Sequence, residues 1–488
     1  MCRYISKSVA QCYHQEWFAV LPRILRYEVA EPLRSCARYF AQVLVWVAAQ
    51  ASVDAAPPHM QLKINRYDFS MAATLTDLQN SFRAPFKVRS FRYQWPADLS
   101  ASLAFEMEIL VLGWYVLVES GSVMMLVLYG ALQFFGSVLS PLFGVAGDRF
   151  GYRRLFLITR GIYTALAIVV MTFAFLGLLT PLFVIGVAAL VGMIRPSDHM
   201  MRYALVGQTV PVEQLTAALG VSRMTADSAR IAGALAGVGT VAQFGMAAAY
   251  VVIALLYLCS FLFSAGVAGK ESNLAPQAAR SAIGELLAGF EYVWKRPTLL
   301  GAMSLAFLVN FLAFPFTLGL LPYIAKNVFE VGQAGLGALS ASFAFGALLG
   351  SLLLGLNRFS LGTGRAMLVM AGLWFGCLLI FSFVTDLALG MFVLICTGLV
   401  QSLSMTPLAA VMLRGTEAAF RGRVMGMRML AIWGLPAGLL AAGPLIDWLG
   451  YEGVAWLYTI SGLALTFCIA WRWRLVLWDK AAPSNHHS

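Results

Sequence analysis

Ionisable side chains interrupt stretches of this chain that are otherwise apolar, and their spacing is that of a helix. Glu106 and Glu108 stand in one such stretch, Arg195, Asp198 and Arg202 in another, and Arg223, Asp227 and Arg230 in a third. The second set falls at i, i+3 and i+7 and the third at i, i+4 and i+7, so each set shares one helical face. In such surroundings a charge needs a partner or a water-filled cavity. A carboxylate there can take up and release a proton or hold a cation. Two positions apart means roughly opposed faces, so at most one of Glu106 and Glu108 faces a shared cavity. Glu106 is taken as the proton-titrating or cation-binding group, with a hydrogen bond to a neighbouring helix as the structural alternative. The plus, minus, plus stripes can also satisfy themselves along their own helices as structural ion pairs. Arg195-Pro196 is expected to break its helix, because proline removes a backbone donor, which favours Arg195 and Asp198 as site residues. His199 beside them either titrates near neutrality or packs with a hydrogen bond.

Gln133, Asn310 and Gln401 are polar groups in apolar runs, read as hydrogen bonds across helices or as substrate contacts. Phe311, Phe314, Phe316, Trp374 and Phe375 would build an aromatic pocket or simply pack. Gly434-Leu-Pro436-Ala-Gly438 combines a missing donor with small contact surfaces and is the hinge candidate. No phosphate-binding loop, metal motif or cofactor fingerprint occurs, so ATP hydrolysis and redox work are not expected and no cofactor is implied. A membrane-embedded enzyme would need a nucleophile with a base or a metal cluster, and Asp198-His199 has no third member. A sensor or scaffold that moves no substrate would be marked by the absence of flux.

The elements that position these groups follow from composition. Of 488 residues 60% are hydrophobic and 12% charged, with mean hydropathy +0.78. A water-soluble domain lacks the polar surface for that balance, and the reading is an all-α integral membrane protein lying in the lipid bilayer. Net charge is +11, yet residues 1–94 hold 12 Lys+Arg against 6 Asp+Glu and no basic patch interleaves with an aromatic platform, so nucleic acid is not an expected partner. Seven cysteines without paired-motif spacing give neither a disulfide framework nor a metal site.

Apolar runs long enough to cross about 30 Å of hydrocarbon predict twelve transmembrane helices. They are Trp95–Val118, Gly121–Ala146, Leu155–Leu178, Pro181–Val206, Leu215–Val241, Met246–Val267, Leu299–Ile324, Gly335–Leu356, Ala366–Val384, Leu387–Leu413, Val424–Ile446 and Gly453–Trp471. With both termini in the cytoplasm, the inner connections carry Arg149, Arg153, Arg154, Lys270, Arg280, Lys295, Arg296, Arg358, Arg365, Arg414, Arg421, Arg423, Arg472, Arg474 and Lys480, whereas the outer ones carry Lys326 alone.

The longest inner connection divides the spans six and six, giving an N-terminal bundle over 91–268, a linker over 269–297, a C-terminal bundle over 298–472 and a tail over 473–488. Ile283, Leu286, Leu287, Phe290 and Val293 recur at helical spacing in the linker, as an amphipathic surface helix would. The halves echo one another weakly. Thr209, Glu213, Ala217 and Gly220 precede the fifth span much as Thr416, Glu417, Ala418, Arg423 and Gly426 precede the eleventh, in register for two parallel six-helix repeats. Residues 1–90 are expected to be a cytoplasmic extension or to reflect an over-called start, with Met60 or Met71 as alternative starts, or else to hold a surface-lying helix. Their apolar run Tyr39–Val53 is short for a span.

Between the second and third spans the chain reads Gly144-Val-Ala-Gly147-Asp148-Arg149-Phe-Gly151-Tyr-Arg153-Arg154. Glycines permit a tight turn, Asp148 offers an anion to a helix N-terminus, and the arginines anchor at the inner surface. This segment resembles the signature loop of the major facilitator superfamily. Gly355-Leu-Asn357-Arg358-Phe359-Ser360 in the second half looks like a degraded copy, with Asn357 at the acidic place. Within the superfamily, Phe91-Arg92-Tyr93-Gln94-Trp95, Leu112-Gly113-Trp114 and Gly422-Arg423-Val424-Met425-Gly426 look most like the bacterial group containing the enterobactin exporter and related secretion-type permeases. Gly220, Gly233 and Gly237 match glycines of an exporter motif in which Ala234 replaces the proline.

The resemblance implies two six-helix bundles rocking about a midplane site, with the signature loop docked across their interface and Asp148 facing Arg423 and Arg428 at the start of the eleventh helix. It implies a proton-driven secondary transporter, working as a monomer in a bacterial inner membrane and moving a small organic molecule. Outward movement is the first expectation and uptake the second. The apolar, aromatic and methionine-rich character of the spans points to an amphipathic substrate over a polyanion.

Overall fold

Runs this apolar fold as helices because a helix satisfies its own backbone hydrogen bonds where no water is present. The structure, a computed structural model, describes residues 84–139, 150–268, 289–355 and 363–417 and, with gaps between 418 and 429, continues to 477. All belong to one compact unit, Asp77–Ser488. Among the described residues there are helices and turns and no strand.

In chain order the helices are α1 (Arg89–Ser120), α2 (Val123–Leu132), α3 (Tyr152–Phe175), α4 (Pro181–Thr209) and α5 (Val212–Ala265) in the first half. The second half has α6 (Pro297–Leu312), α7 (Phe314–Leu318), α8 (Leu321–Asn327), α9 (Gln333–Gly355), α10 (Thr363–Phe381), α11 (Leu387–Arg414), α12 (Gly434–Arg472) and α13 (Arg474–Leu477). Among the described residues seven helices are long and apolar enough to cross a membrane, and shorter apolar helices fall on the second, fourth and seventh expected spans.

Helix starts carry the side chains that satisfy free N–H groups. Thr180 accepts from the Phe183 N–H ahead of Pro181, and Asp386 accepts from the Leu389 N–H at 2.8 Å. α5 and α12 are each broken once, at Gly245 (φ 80°) and Gly450 (φ 72°). Left-handed φ is open to glycine at little cost, so each half turns from its fifth into its sixth expected span at the same kind of break.

Three expectations are corrected here. The seventh span is not one helix: Pro315 and Pro322 start new short helices, α7 and α8. The second span narrows at Gln133, where α2 gives way to a 3-10 stretch over Phe135–Leu139. Conversely, α4 runs unbroken through Pro196, so the missing donor there does not interrupt the helix. Of the linker, residues 269–288 lie outside the described residues. Residues 289–294 are helical, with Phe290 and Trp294 exposed and stacked and Glu291 paired with Lys295.

Lipid is as apolar as leucine, so helix association in a membrane rests on close packing and on hydrogen bonds. The first half packs α1 through α5 around Met107, Val111, Tyr163, Val184 and Tyr250. The halves meet along two seams. In one, Gly337 of α9 lies where a Cβ would come within 2.8 Å of Val238 on α5; in the other, Gly443 of α12 lies against Met124 and Val127 of α2.

Candidate functional site

α1 places three carboxylates in the interior, and each has a different fate. Glu106 lines a cavity of about 160 Å³ at the junction of the two halves. Its walls are Ile109, Leu110 and Gly113 of α1, Tyr129 and Gly130 of α2, Arg195 of α4 and Arg230 of α5, closed from the other half by Thr317, Leu321, Ser340 and Phe343. Glu106 accepts a hydrogen bond from Nε of Arg230 at 3.4 Å. The approach is permitted by Gly233, one turn further along α5, where a Cβ would stand 2.9 Å from the Glu106 Cβ. Arg195 lies with its guanidinium over the Phe105 ring at 3.4 Å from the centroid and 5.2 Å from that of Phe134, and it reaches Oε1 of Gln133 at 3.5 Å.

The third set of ionisable residues therefore does not satisfy itself along its own helix. Arg223 pairs with Asp227 at 3.1 Å, while Arg230 turns to Glu106 on α1. The second set is divided as well. Arg195 faces the cavity, whereas Asp198 and Arg202 join Asp98 of α1 and Arg160 of α3 in a buried ring of alternating charge. Arg160 Nη2 lies 2.9 Å from Asp98 and 3.2 Å from Asp198; Arg202 lies 3.1 Å from Asp98 and 3.2 Å from Asp198. Gln94 donates to the Arg202 carbonyl and Arg202 to Ser102, which ties α1 further to α4. Arg160 is 1% exposed. Asp98 precedes Glu106 by eight residues, about 12 Å along the helix, so the ring stands toward the N-terminal end of α1 from the cavity. The side chain of His199 lies outside the described residues.

Glu108 points away from the cavity. Tyr257 donates to one of its carboxylate oxygens at 2.8 Å and Tyr250 to the other at 3.3 Å, both from the second arm of α5. Tyr129, a cavity wall residue, directs its hydroxyl at the carbonyls of Glu108 and Ile109.

Of the signature loop, Gly144, Gly147, Asp148 and Arg149 lie outside the described residues. Gly151 precedes α3 with φ 85°, and Arg153 caps the end of α5, donating to the Val267 carbonyl at 2.7 Å and the Ala265 carbonyl at 3.0 Å; Arg154 is exposed. The hinge candidate sits just past a turn at Ile432–Trp433, where the Leu435 N–H reaches back three residues to Ile432. Gly434 and Gly438 are seated on α6, the latter with its absent Cβ 2.0 Å from the Phe311 carbonyl, and Pro436 is buried. These residues make a tight helix crossing.

None of Phe311, Phe314, Phe316, Trp374 and Phe375 lines the cavity. Trp374, Phe375 and Phe316 are buried packing residues, and Phe314 meets Trp374 edge-on at 4.9 Å. Asn310 bonds to the Ala306 carbonyl of its own helix. Sequence reasoning missed Asp98 and Arg160, although both are charged residues inside expected spans, the signal that marked the others.

The Major Facilitator Superfamily model matches residues 95–439, a range that holds every cavity-lining residue. No curated protein matches the chain. Among solved structures, the nucleoside transporter NupG superposes with a TM-score of 0.62 at 14% identity, covering 80% of this chain and 100% of that one. A D-xylose-proton symporter gives 0.62 at 11% identity over 80% and 98%, and the human organic anion transporter MFSD10 gives 0.55 at 15% identity over 78% and 98%. Identities this low speak for the fold, while the family match covers both halves: the chain belongs to the Major Facilitator Superfamily.

Proposed function

We propose that this protein is a proton-coupled secondary transporter of a small amphipathic organic molecule, and that its twelve spans form two six-helix bundles which rock about the cavity to open it to either side in turn. One observation carries the proposal: the Glu106–Arg230 pair stands in the wall of a cavity built from both halves. A carboxylate so placed can exchange its guanidinium partner for a proton as the cavity changes sides, which links proton occupancy to the state of the site. Asp148 and its neighbours are the latch that favours one access state, and the protein works as a monomer in a bacterial cytoplasmic membrane with both termini inside.

Export is the first reading, from the resemblance to secretion-type permeases. The cavity supports uptake as the second, because protonating Glu106 frees Arg230, so that a proton and an acidic substrate would bind together and travel the same way. Accumulation of a panel of fluorescent and metal-chelating compounds in cells expressing the chain, with and without a protonophore, tests the proposal. Lower accumulation reversed by the protonophore supports export, and higher accumulation abolished by it supports uptake. Accumulation indifferent to both the protein and the gradient for every compound counts against energised transport.

A further inference from the structure

Among the described residues, the buried ring and the Arg223–Asp227 pair carry matched charges. Asp98 and Asp198 balance Arg160 and Arg202, and Asp227 balances Arg223. The cavity wall, by contrast, holds two guanidiniums, Arg195 and Arg230, against the single carboxylate of Glu106. That carboxylate is engaged by Arg230. The Glu108 oxygens are taken by Tyr250 and Tyr257, and Glu108 does not line the cavity. Among the described residues no carboxylate lies within ion-pair distance of Arg195, whose only polar contact is the 3.5 Å one to Gln133.

Arginine keeps its charge in any environment, and a guanidinium withdrawn from water is costly without a counter-charge. Stacking on Phe105 and Phe134 uses the face of the guanidinium and leaves its in-plane N–H donors for a planar acceptor. Apart from Tyr129, Thr317 and Ser340 the remaining wall is apolar, with Ile109, Leu110, Leu126, Leu318, Pro322 and Phe343 around a space of about 160 Å³.

We propose that the cavity takes a small organic monoanion, a carboxylate on a compact apolar body, with the carboxylate seated on Arg195. This rests on the cavity being the transport site. Glu106 is faced by Arg230 from α5, Arg195 from α4 and the Tyr129 phenol from α2, while the second half offers only the uncharged Thr317 and Ser340. Arg230, held by Glu106, is therefore the second cation an anion meets in the cavity.

The test uses three probes of one shape and different charge, benzoate, benzyl alcohol and benzylamine, with binding to the full purified chain in lipid nanodiscs read by thermal shift and calorimetry. Benzoate is expected to bind best, and Arg195→Gln to weaken it about tenfold or more, as loss of a charge-assisted hydrogen-bonding pair does, with benzyl alcohol unchanged. Arg195→Lys, which keeps the charge, is expected to retain the order of preference and guards against a folding defect in the first variant. Equal binding of the three probes, preference for benzylamine, no binding of any probe, or an Arg195→Gln protein that is folded and still prefers benzoate each overturns the proposal. Ser340→Trp, which fills the cavity from the second half, separates the two levels: benzoate binding that survives it shows that the cavity is not the site at all, whereas binding that it abolishes without charge preference removes only the anion.

Discussion

Arg230 reaches across from α5 to Glu106 on α1, at 3.4 Å, although Asp227 stands less than one turn back on its own helix. Asp227 is already engaged by Arg223, and the glycines that follow Arg230 bring α5 onto α1 so closely that Gly237 lies where a Cβ would touch the Met107 backbone at 3.0 Å. Backbone proximity has thus turned a stripe that looks self-sufficient along the sequence into a bond between helices, at the wall of the cavity.

Removing the titrating oxygen tests what that bond does. Glu106→Gln keeps the shape and an acceptor for Arg230 but cannot gain or lose a proton. Transport in proteoliposomes carrying an imposed pH gradient is expected to lose its dependence on the gradient, with exchange of substrate at equal pH remaining. Unchanged gradient dependence would move the coupling group elsewhere, to Asp198 first.

The buried ring makes a different prediction because removing any single one of its four charges leaves a net charge buried. Asp98→Ala leaves Arg160 and Arg202 to share one carboxylate, and breaking a buried pair in this way costs about 3–5 kcal/mol. Thermal unfolding in detergent is expected to show a large loss for Asp98→Ala, partly restored in the double variant with Arg160→Leu. Arg223→Ala, whose side chain is 60% exposed, is expected to change stability by no more than about 1 kcal/mol.

Glycine packing gives a third test with its own control. Gly233→Val places a branched side chain 2.9 Å from the Glu106 Cβ and 3.0 Å from the Leu103 carbonyl, so α1 and α5 must separate and the Glu106–Arg230 bond must lengthen. Gly239, on the same helix, has nothing within 4 Å of its absent Cβ, and Gly239→Ala there removes a helix-weakening residue worth about 1 kcal/mol. The first variant is expected to lose transport and melt earlier, and the second to transport normally with equal or higher melting temperature.

The all-helical, membrane-spanning fold was legible because hydropathy acts over twenty residues at a time and survives small errors of boundary. Charged residues inside spans were legible too, as Glu106, Arg195 and Asp198 illustrate. Their partners were not. Helical spacing reports neighbours on one helix only, whereas Asp98, Arg160 and Arg202 are joined across three helices, and nothing in the sequence relates positions separated by 62 and 104 residues. The course of the backbone escaped as well: Pro196 is carried within a continuous helix while Pro315 begins a new one, although the residue type is the same.

An anchoring role for Arg153 can be separated by experiment from the proposed latch at Asp148. Arg153 donates to two carbonyls at the end of α5, which are free acceptors at any helix C-terminus, and its side chain is exposed. Arg153→Gln is expected to lower stability by about 1–2 kcal/mol, read as earlier melting, while leaving the turnover of folded protein close to wild type. Asp148→Asn, if the loop docks across the halves in one access state, acts the other way: insertion and melting are retained and turnover falls, because the balance between the two states has shifted. Wild-type turnover in Asp148→Asn would remove the latch, and a turnover defect in Arg153→Gln without loss of stability would assign the latch to the arginine instead.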